Sequence, residues 1–425
     1  MRDRTRRALT QIGGKTEVWG DDRELASLLE FALSVNADSG RGMDHVHGFH
    51  SYPARMHPDT AARLVEGLSQ NADTVLDPFA GSGTVLVEAR LRGRTAWGID
   101  ANPLAVELAR LKVAGLDRVQ SECLGEVANL VIEHAEQRRI GKAGPSRRYP
   151  AMLRAAFDPH VLLELDGLLD GIEHESPQEL TGVLKLVLSS MINKVSRRQS
   201  DTSSAELPRR LASGFVIRFF GKKTQELLAR LRQYASALPQ HAPPSRIELG
   251  DARRLPMRDQ TVSAIVTSPP YPGVYDYVEH HRLRLEWLSL DAKHLERHEI
   301  GAHRDFSVTH AEGLEGVWAA QLGTCLGEMA RVLRQNGLAA ILIADTAVAG
   351  RPLYANRMIL DIAGKHGLHV RAGASQRRQH YHAPTRDVFT AGARCEHLIV
   401  LEPDRSKPRP KTALVHRKPR HRTKG

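Results

Sequence analysis

"TVLDPFAGSGTVLVEARLRGRTAWGID", residues 74–100, decides the fold. The apolar run "TVL" ends in Asp77, Gly81 and Gly83 form a turn, a helical pattern opens near Thr84, and "RTAWGID" (94–100) predicts a second strand ending in Asp100. Strand, glycine turn, helix, strand is the pattern of a parallel sheet with crossover helices. Glycines in such a turn let the backbone approach a ligand, and the helix start offers free amides. An acid closing the second strand is placed to accept hydrogen bonds from both hydroxyls of a ribose, which implies a ribose-bearing cofactor. Two nucleotide fingerprints fail. Leu86 stands where G-x-G-x-x-G needs its last glycine, and "GGKT" (13–16) lacks the upstream glycine of a phosphate loop.

Two later stretches extend the pattern. "SRIELGDARRLP" (245–256) predicts a strand ending in Gly250 and Asp251, and "SAIVTSPPY" (263–271) predicts another that delivers Ser268. Ligands of open α/β sheets lie beyond the carboxyl ends of the strands, so Asp77, Asp100, Asp251 and Ser268 are expected in one crevice. "LAAILIADT" (338–346) and "EHLIVLEP" (396–403) read as further strands, separated by segments compatible with helices. Between about 117 and 244 the pattern turns helical, as in "HVLLELDGLLDGI" (160–172) and "LTGVLKLVLSSMINKV" (180–195), broken by the polar "SRRQSDTSSAELPRR" (196–210). The expected layout is an N-terminal extension (1–46), a cofactor half of the core (47–116), an inserted helical subdomain (117–244), a catalytic half (245–403) and a basic tail (404–425).

"DPFAGSGT" (77–84) followed by "SPPY" (268–271) resembles the S-adenosylmethionine-dependent amino-methyltransferases of DNA, which methylate cytosine N4 or adenine N6. "HGFHSYPARMHPDTAARLVEGL" (47–68) resembles the segment that in this family closes over the methionine end of the cofactor. The resemblance covers about 47–116 and 245–402. It implies a Rossmann-like α/β methyltransferase sheet carrying the inserted helical subdomain, with S-adenosylmethionine as cofactor. By the same resemblance Asp77, Gly81 and Gly83, with Pro78, Phe79 and Thr84 of the same loop, face the methionine part. Asp100, followed by Asn102, faces the ribose, and Asp251 faces the adenine amino group.

The resemblance also assigns the catalytic stretch. The exocyclic amine of a base is a poor nucleophile because its lone pair is delocalised into the ring, so it needs acceptors that draw it toward tetrahedral geometry. In the family the first side chain of the motif and the next carbonyl accept the two amino hydrogens, roles that fall on Ser268 and Pro269. The fixed φ of Pro269 and Pro270 holds that carbonyl without reorganisation, and Tyr271 can stack on a base flipped out of double-stranded DNA. Transfer is then a direct in-line attack on the sulfonium methyl. No Pro-Cys pair occurs, which argues against ring-carbon methylation through a cysteine nucleophile. Adenine enzymes of this family usually carry Asp or Asn at the position of Ser268, whereas Ser before Pro-Pro-Tyr is typical of the cytosine enzymes, so cytosine N4 is the expected target. Adenine N6 and an RNA base are the alternatives. Tyr275 and Tyr277 either line a base pocket or simply pack, and they are not counted in the site.

Charge and composition are consistent with a nucleic-acid partner. Of the net charge of +11, nine Lys/Arg lie in "RSKPRPKTALVHRKPRHRTKG" (405–425), which holds no acid, leaving +2 for residues 1–404. Such an arm either tracks a phosphate backbone or is a solvated tail. "NKVSRRQSDTS" (193–203) offers Lys194, Arg197 and Arg198 either for phosphate and base-edge contacts or as a solvated loop. No apolar run approaches the ~18 residues that cross a bilayer. The basic start lacks a signal peptide's apolar stretch, so the cytoplasm is expected and no membrane partner. Cys123, Cys325 and Cys395 form no CxxC pair, and "HH" (280–281) and "HYH" (380–382) lack a nearby acid at metal-ligand spacing, so no metal is expected. A cognate restriction endonuclease is a possible partner. Two other classes stay open: a nucleic-acid-binding protein that keeps the fold without catalysis, and a nicotinamide oxidoreductase.

Overall fold

The computed structural model describes residues 12–35, 40–200, 203–206, 209–302, 311–348, 350–378, 387–390, 392–404 and 406. Nearly all of the basic arm and the histidines of "HYH" therefore lie outside the described residues.

The chain opens with β1 (Ile12–Gly20) and α1 (Arg23–Leu33), and α2 (Pro58–Leu68) leads into the unit that decides the fold. β2 (Thr74–Asp77) and β3 (Thr95–Asp100) pair in parallel, Leu76 beside Trp97 and Asp77 beside Gly98, with α3 (Thr84–Leu91) as the crossover. α4 (Pro103–Ala114) begins where the sequence stops it from beginning earlier: Pro103 occupies the first turn and the Asn102 side chain accepts from the Leu104 amide at 3.0 Å.

A helical block follows: α5 (Arg118–Ile140), α6 (Ala151–Ala156), α7 (Pro159–Glu175), α8 (Gln178–Val195) and α9 (Phe215–Ala237). The polar interruption before α9 is a short hairpin, β4 (Arg198–Ser200) with β5 (Ser203–Glu206). α5 starts on a reciprocal cap, Asp117 accepting from the Gln120 amide while Gln120 accepts from the Asp117 amide. Buried residues of this block, among them Leu124, Val131, Leu165, Leu184, Phe220 and Leu227, run into one continuous apolar cluster with Val75, Ala96, Ala264 and Val266 of the sheet. Each such side chain stabilises by roughly 1.5–3 kcal/mol when buried, so this shared core holds the block against one sheet face.

The sheet resumes with β6 (Ser245–Leu249) and β7 (Val262–Thr267), followed by α10 (Tyr277–Trp287), α11 (Ala292–His298) and α12 (Ala311–Val332). β8 (Leu333–Ala344), a small hairpin of β9 (Thr346–Val348) and β10 (Arg351–Leu353), α13 (Ala355–Ala363), β11 (Leu368–Arg378) and β12 (Cys395–Pro403) complete it. The strand order is β1-β11-β12-β8-β7-β2-β3-β6. β6, β3, β2, β7 and β8 are parallel, β12 enters antiparallel between β8 and β11, and β1 closes the edge antiparallel to β11. The second face is covered by a cluster that includes Trp318, Leu322 and Leu326 of α12 and Ile359 of α13. This is a Rossmann-like α/β fold, and its strand order turns between β2 and β7, where such sheets open a crevice.

Two elements differ from expectation. Residues 1–46 were expected outside the core, but β1 supplies the eighth strand of the main sheet, Val18 opposite Ala374. β11 occupies a stretch compatible with helix, because "HVRAGASQRR" (369–378) carries too few apolar residues to show a strand period. No helix among the described residues is long and apolar enough to cross a membrane.

Candidate functional site

Asp77 ends β2 at the crevice and is 3% exposed. Its Oδ1 accepts from Thr267 Oγ1 at 2.6 Å and from the Phe79 amide at 3.1 Å. Burial pushes its carboxyl up to about 7. The turn beyond it holds Gly81 and Gly83 at φ +49° and +85°. At Gly83 a Cβ would meet the Ala109 backbone at 3.1 Å, so both the left-handed conformation and the close approach of α4 require glycine. The Gly81 amide donates to one oxygen of Asp100 (2.7 Å) and the Asn102 amide to the other (2.8 Å). Burial pushes the Asp100 carboxyl up to about 6.

Around these residues lies an open pocket of ≈ 870 Å³. Of the residues expected at the site, Asp77, Pro78, Phe79, Gly81, Thr84, Asp100, Asn102, Asp251, Ser268 and Pro270 line it, and Gly83, Pro269 and Tyr271 do not. Gly83 supports the turn from behind. Tyr271 packs against the apolar cluster under α12, and its hydroxyl accepts from Ser268 Oγ at 3.4 Å. The Pro270 carbonyl accepts from Trp318 Nε1 at 3.3 Å, which ties the Ser268–Tyr271 stretch to α12.

Asp251 reaches the pocket in an unexpected state. Arg253 Nε lies 2.9 and 3.0 Å from its two oxygens and Nη2 lies 2.8 Å from Oδ2. Burial works to raise its carboxyl, but the bonds from Arg253 hold it below its ordinary value.

The pocket has walls that the motifs did not mark. On one side stand Tyr52, Ala54, Arg55 and Met56, from the segment read as the cofactor cover. Tyr52 Oη accepts from Asn102 Nδ2 at 3.2 Å, and its ring stacks on His281 (5.0 Å between centroids, 24°) and Tyr277 (6.3 Å, 22°). On the other side stand Tyr277, Leu295, His298, Glu299 and Ile300. Glu299 Oε1 accepts from the Tyr277 amide at 2.6 Å. Tyr277, read as optional packing, is therefore a wall residue. Its only sequence signal was its place just after the catalytic stretch, and Leu295–Ile300 had none.

Arg197 and Arg198 are engaged internally, Arg197 Nη2 with Asp158 at 2.7 Å and Arg198 Nη2 with Glu279 of α10 at 3.0 Å. The Arg198–Glu279 pair ties the β4–β5 hairpin to α10. Two histidine–carboxylate groups are close enough to share an ion, His45–His47–Glu88 and His134–Asp170–His174. In the first, Glu88 is already divided between His47 (2.7 Å) and Arg92 (2.6 Å), with positive charge from Arg41 and Arg55 nearby. In the second, Arg138 sits 3.2 Å from Asp170 and His174 turns its Nδ1 to the Asp170 carbonyl. Both arrangements oppose a cation.

Residues 15–111 match the family model described as DNA methylase, of the N6/N4 methyltransferases. Over these residues the chain is similar to the N4/N6 amino-methyltransferases of DNA. It is 24% identical over 269 residues to the Type II methyltransferase M.MvaI of Kocuria varians, covering 57% of this chain and 58% of that protein. It is 26% identical over 290 residues to the Type II methyltransferase M.BsoBI of Geobacillus stearothermophilus, covering 58% and 53%. A tRNA (guanine(10)-N2)-dimethyltransferase of Pyrococcus abyssi is 26% identical over 168 residues, covering 38% and 45%. The chain thus spans little more than half the length of the two Type II relatives. The cofactor of this family is S-adenosylmethionine, and the pocket suits it. The buried Asp77 and the half-buried Asp100 both have raised carboxyls, and Ser82 Oγ and Thr84 Oγ1, which also line the pocket, are buried without a hydrogen-bond partner among the described residues.

Proposed function

We propose that this protein transfers a methyl group from S-adenosylmethionine to the exocyclic N4 amine of a cytosine flipped out of double-stranded DNA. The observation that carries the reading is the junction of motif and pocket. Thr267, the residue before Ser268, donates to Asp77, so the catalytic stretch and the cofactor loop are one bonded unit. In this reading Asp77, with Pro78, Phe79, Gly81, Gly83 and Thr84, holds the methionine end, Asp100 and Asn102 the ribose, and Asp251 the adenine side. The bound cofactor supplies an electrophilic sulfonium methyl. Ser268 Oγ and the Pro269 carbonyl accept the two amino hydrogens of the base and localise the nitrogen lone pair. Pro269 and Pro270 keep those acceptors fixed, and Trp318 pins the second peptide through its bond to the Pro270 carbonyl. The N–C bond forms as the S–C bond breaks, and the aminium loses one proton; no covalent enzyme intermediate is needed. Tyr271 flanks the acceptors and meets the base face once its bond to Ser268 is given up.

Serine in place of Asp or Asn supports cytosine over adenine N6. The similarity to a tRNA dimethyltransferase keeps an RNA base as the second reading. The reading implies a cytoplasmic protein acting on DNA, with a cognate restriction endonuclease as a further partner. Tritium transfer from labelled S-adenosylmethionine to genomic DNA and to total RNA tests it: label in DNA is expected, and label in RNA alone would overturn the substrate.

A further inference from the structure

The adenine amino group of the cofactor needs a hydrogen-bond acceptor, and Asp251, the expected one, already receives three close nitrogen contacts from Arg253. His298, the last residue of α11, lines the same pocket. Its Nδ1 lies 2.8 Å from the His294 carbonyl oxygen. A carbonyl only accepts, so Nδ1 carries the proton, and in the neutral ring Nε2 is left with a lone pair. With Nδ1 turned back to its own helix, Nε2 is the nitrogen that faces away from the backbone. The His294 ring stacks on it at 4.3 Å and 29°, which fixes the plane in which that lone pair points.

We propose that His298 Nε2 accepts a hydrogen bond from the adenine amino group and sets the preference of the pocket for adenine, with the Asp251–Arg253 pair serving as its neighbouring wall. This inference rests on the cofactor reading above. It makes α11, a stretch with no recognisable motif, the selector of the purine.

Calorimetry on the full chain with S-adenosylhomocysteine and with S-inosylhomocysteine, whose 6-oxo group replaces the amine, tests it without turnover. The 6-oxo oxygen would meet Nε2 lone pair to lone pair, so the wild type is expected to prefer the adenosyl compound by roughly tenfold or more. His298→Phe and His298→Ala, each checked for unchanged thermal unfolding, should bring the two affinities within about twofold, while Asp251→Asn keeps the preference. Retention of the full preference in both His298 variants, or its loss in Asp251→Asn alone, would overturn the assignment. A wild type that binds neither compound would instead overturn the cofactor reading, and the inference with it.

Discussion

Thr267 Oγ1 donates to Asp77 Oδ1 at 2.6 Å, joining the last residue of β7 to the last residue of β2 across the point where the strand order turns. The bond is buried and holds Ser268, the next residue of the chain, beside the Asp77–Thr84 turn. Thr267→Val preserves shape but removes the donor, leaving Asp77 Oδ1 with the Phe79 amide. The expected cost is about 1–3 kcal/mol of stability, together with at least a tenfold loss of turnover in single-turnover assays. A variant with wild-type turnover would show that the junction is only structural.

The two raised acids give a pH signature. Asp77 and Asp100 are pushed up to about 7 and about 6, above the ordinary value of an unfolded carboxyl. A raised folded pKa contributes stability that is present at low pH and fades as pH rises through the folded value. The cofactor-free protein should therefore lose stability between about pH 4 and pH 7, by at most about 4 kcal/mol for Asp77. Asp77→Asn should flatten this loss and raise the unfolding temperature at pH 8 while weakening cofactor binding. An unchanged pH profile of thermal unfolding would contradict the burial argument. Affinity for the cationic cofactor should rise as pH climbs through 6 to 7, because only the ionised carboxylates attract it.

Asp100 spends one lone pair of each oxygen on the amides of Gly81 and Asn102, and in the proposed reading the others accept from the ribose hydroxyls. Asp100→Ala should weaken S-adenosylhomocysteine binding more than tenfold, a loss of about 1.5–3 kcal/mol. Unchanged affinity by calorimetry would sink the ribose assignment.

These two acids were legible in the sequence because a short apolar run ending in Asp, a glycine turn and a helical period are local signals. Asp77, Gly81, Asp100 and Ser268 converge where the strand-end rule puts them. What escaped notice lacks such signals. β1 carries two glycines near its start and pairs with a strand more than 350 residues later, Gly20 opposite Ala372 and Ile12 opposite Arg378, so no local pattern shows it. His298 and Glu299 reach the pocket only because α11 folds back over it. The Arg253 clamp on Asp251 depends on a side-chain rotamer, which spacing does not encode.

The basic arm is tested by deletion. Without residues 405–425, DNA binding should weaken and the slope of log affinity against log salt should flatten, with sequence preference intact. An identical slope would make the arm a bystander.

The central claim, amino-methylation of cytosine at Ser268, is tested most directly by nucleoside mass spectrometry of DNA incubated with S-adenosylmethionine and the wild type, Ser268→Ala or Tyr271→Ala. The account predicts N4-methylcytosine from the wild type and losses of ~10² or more in both variants, from removing an acceptor or a stacking face. N6-methyladenine alone would contradict the choice of base, and no modified base in any DNA would contradict the claim itself.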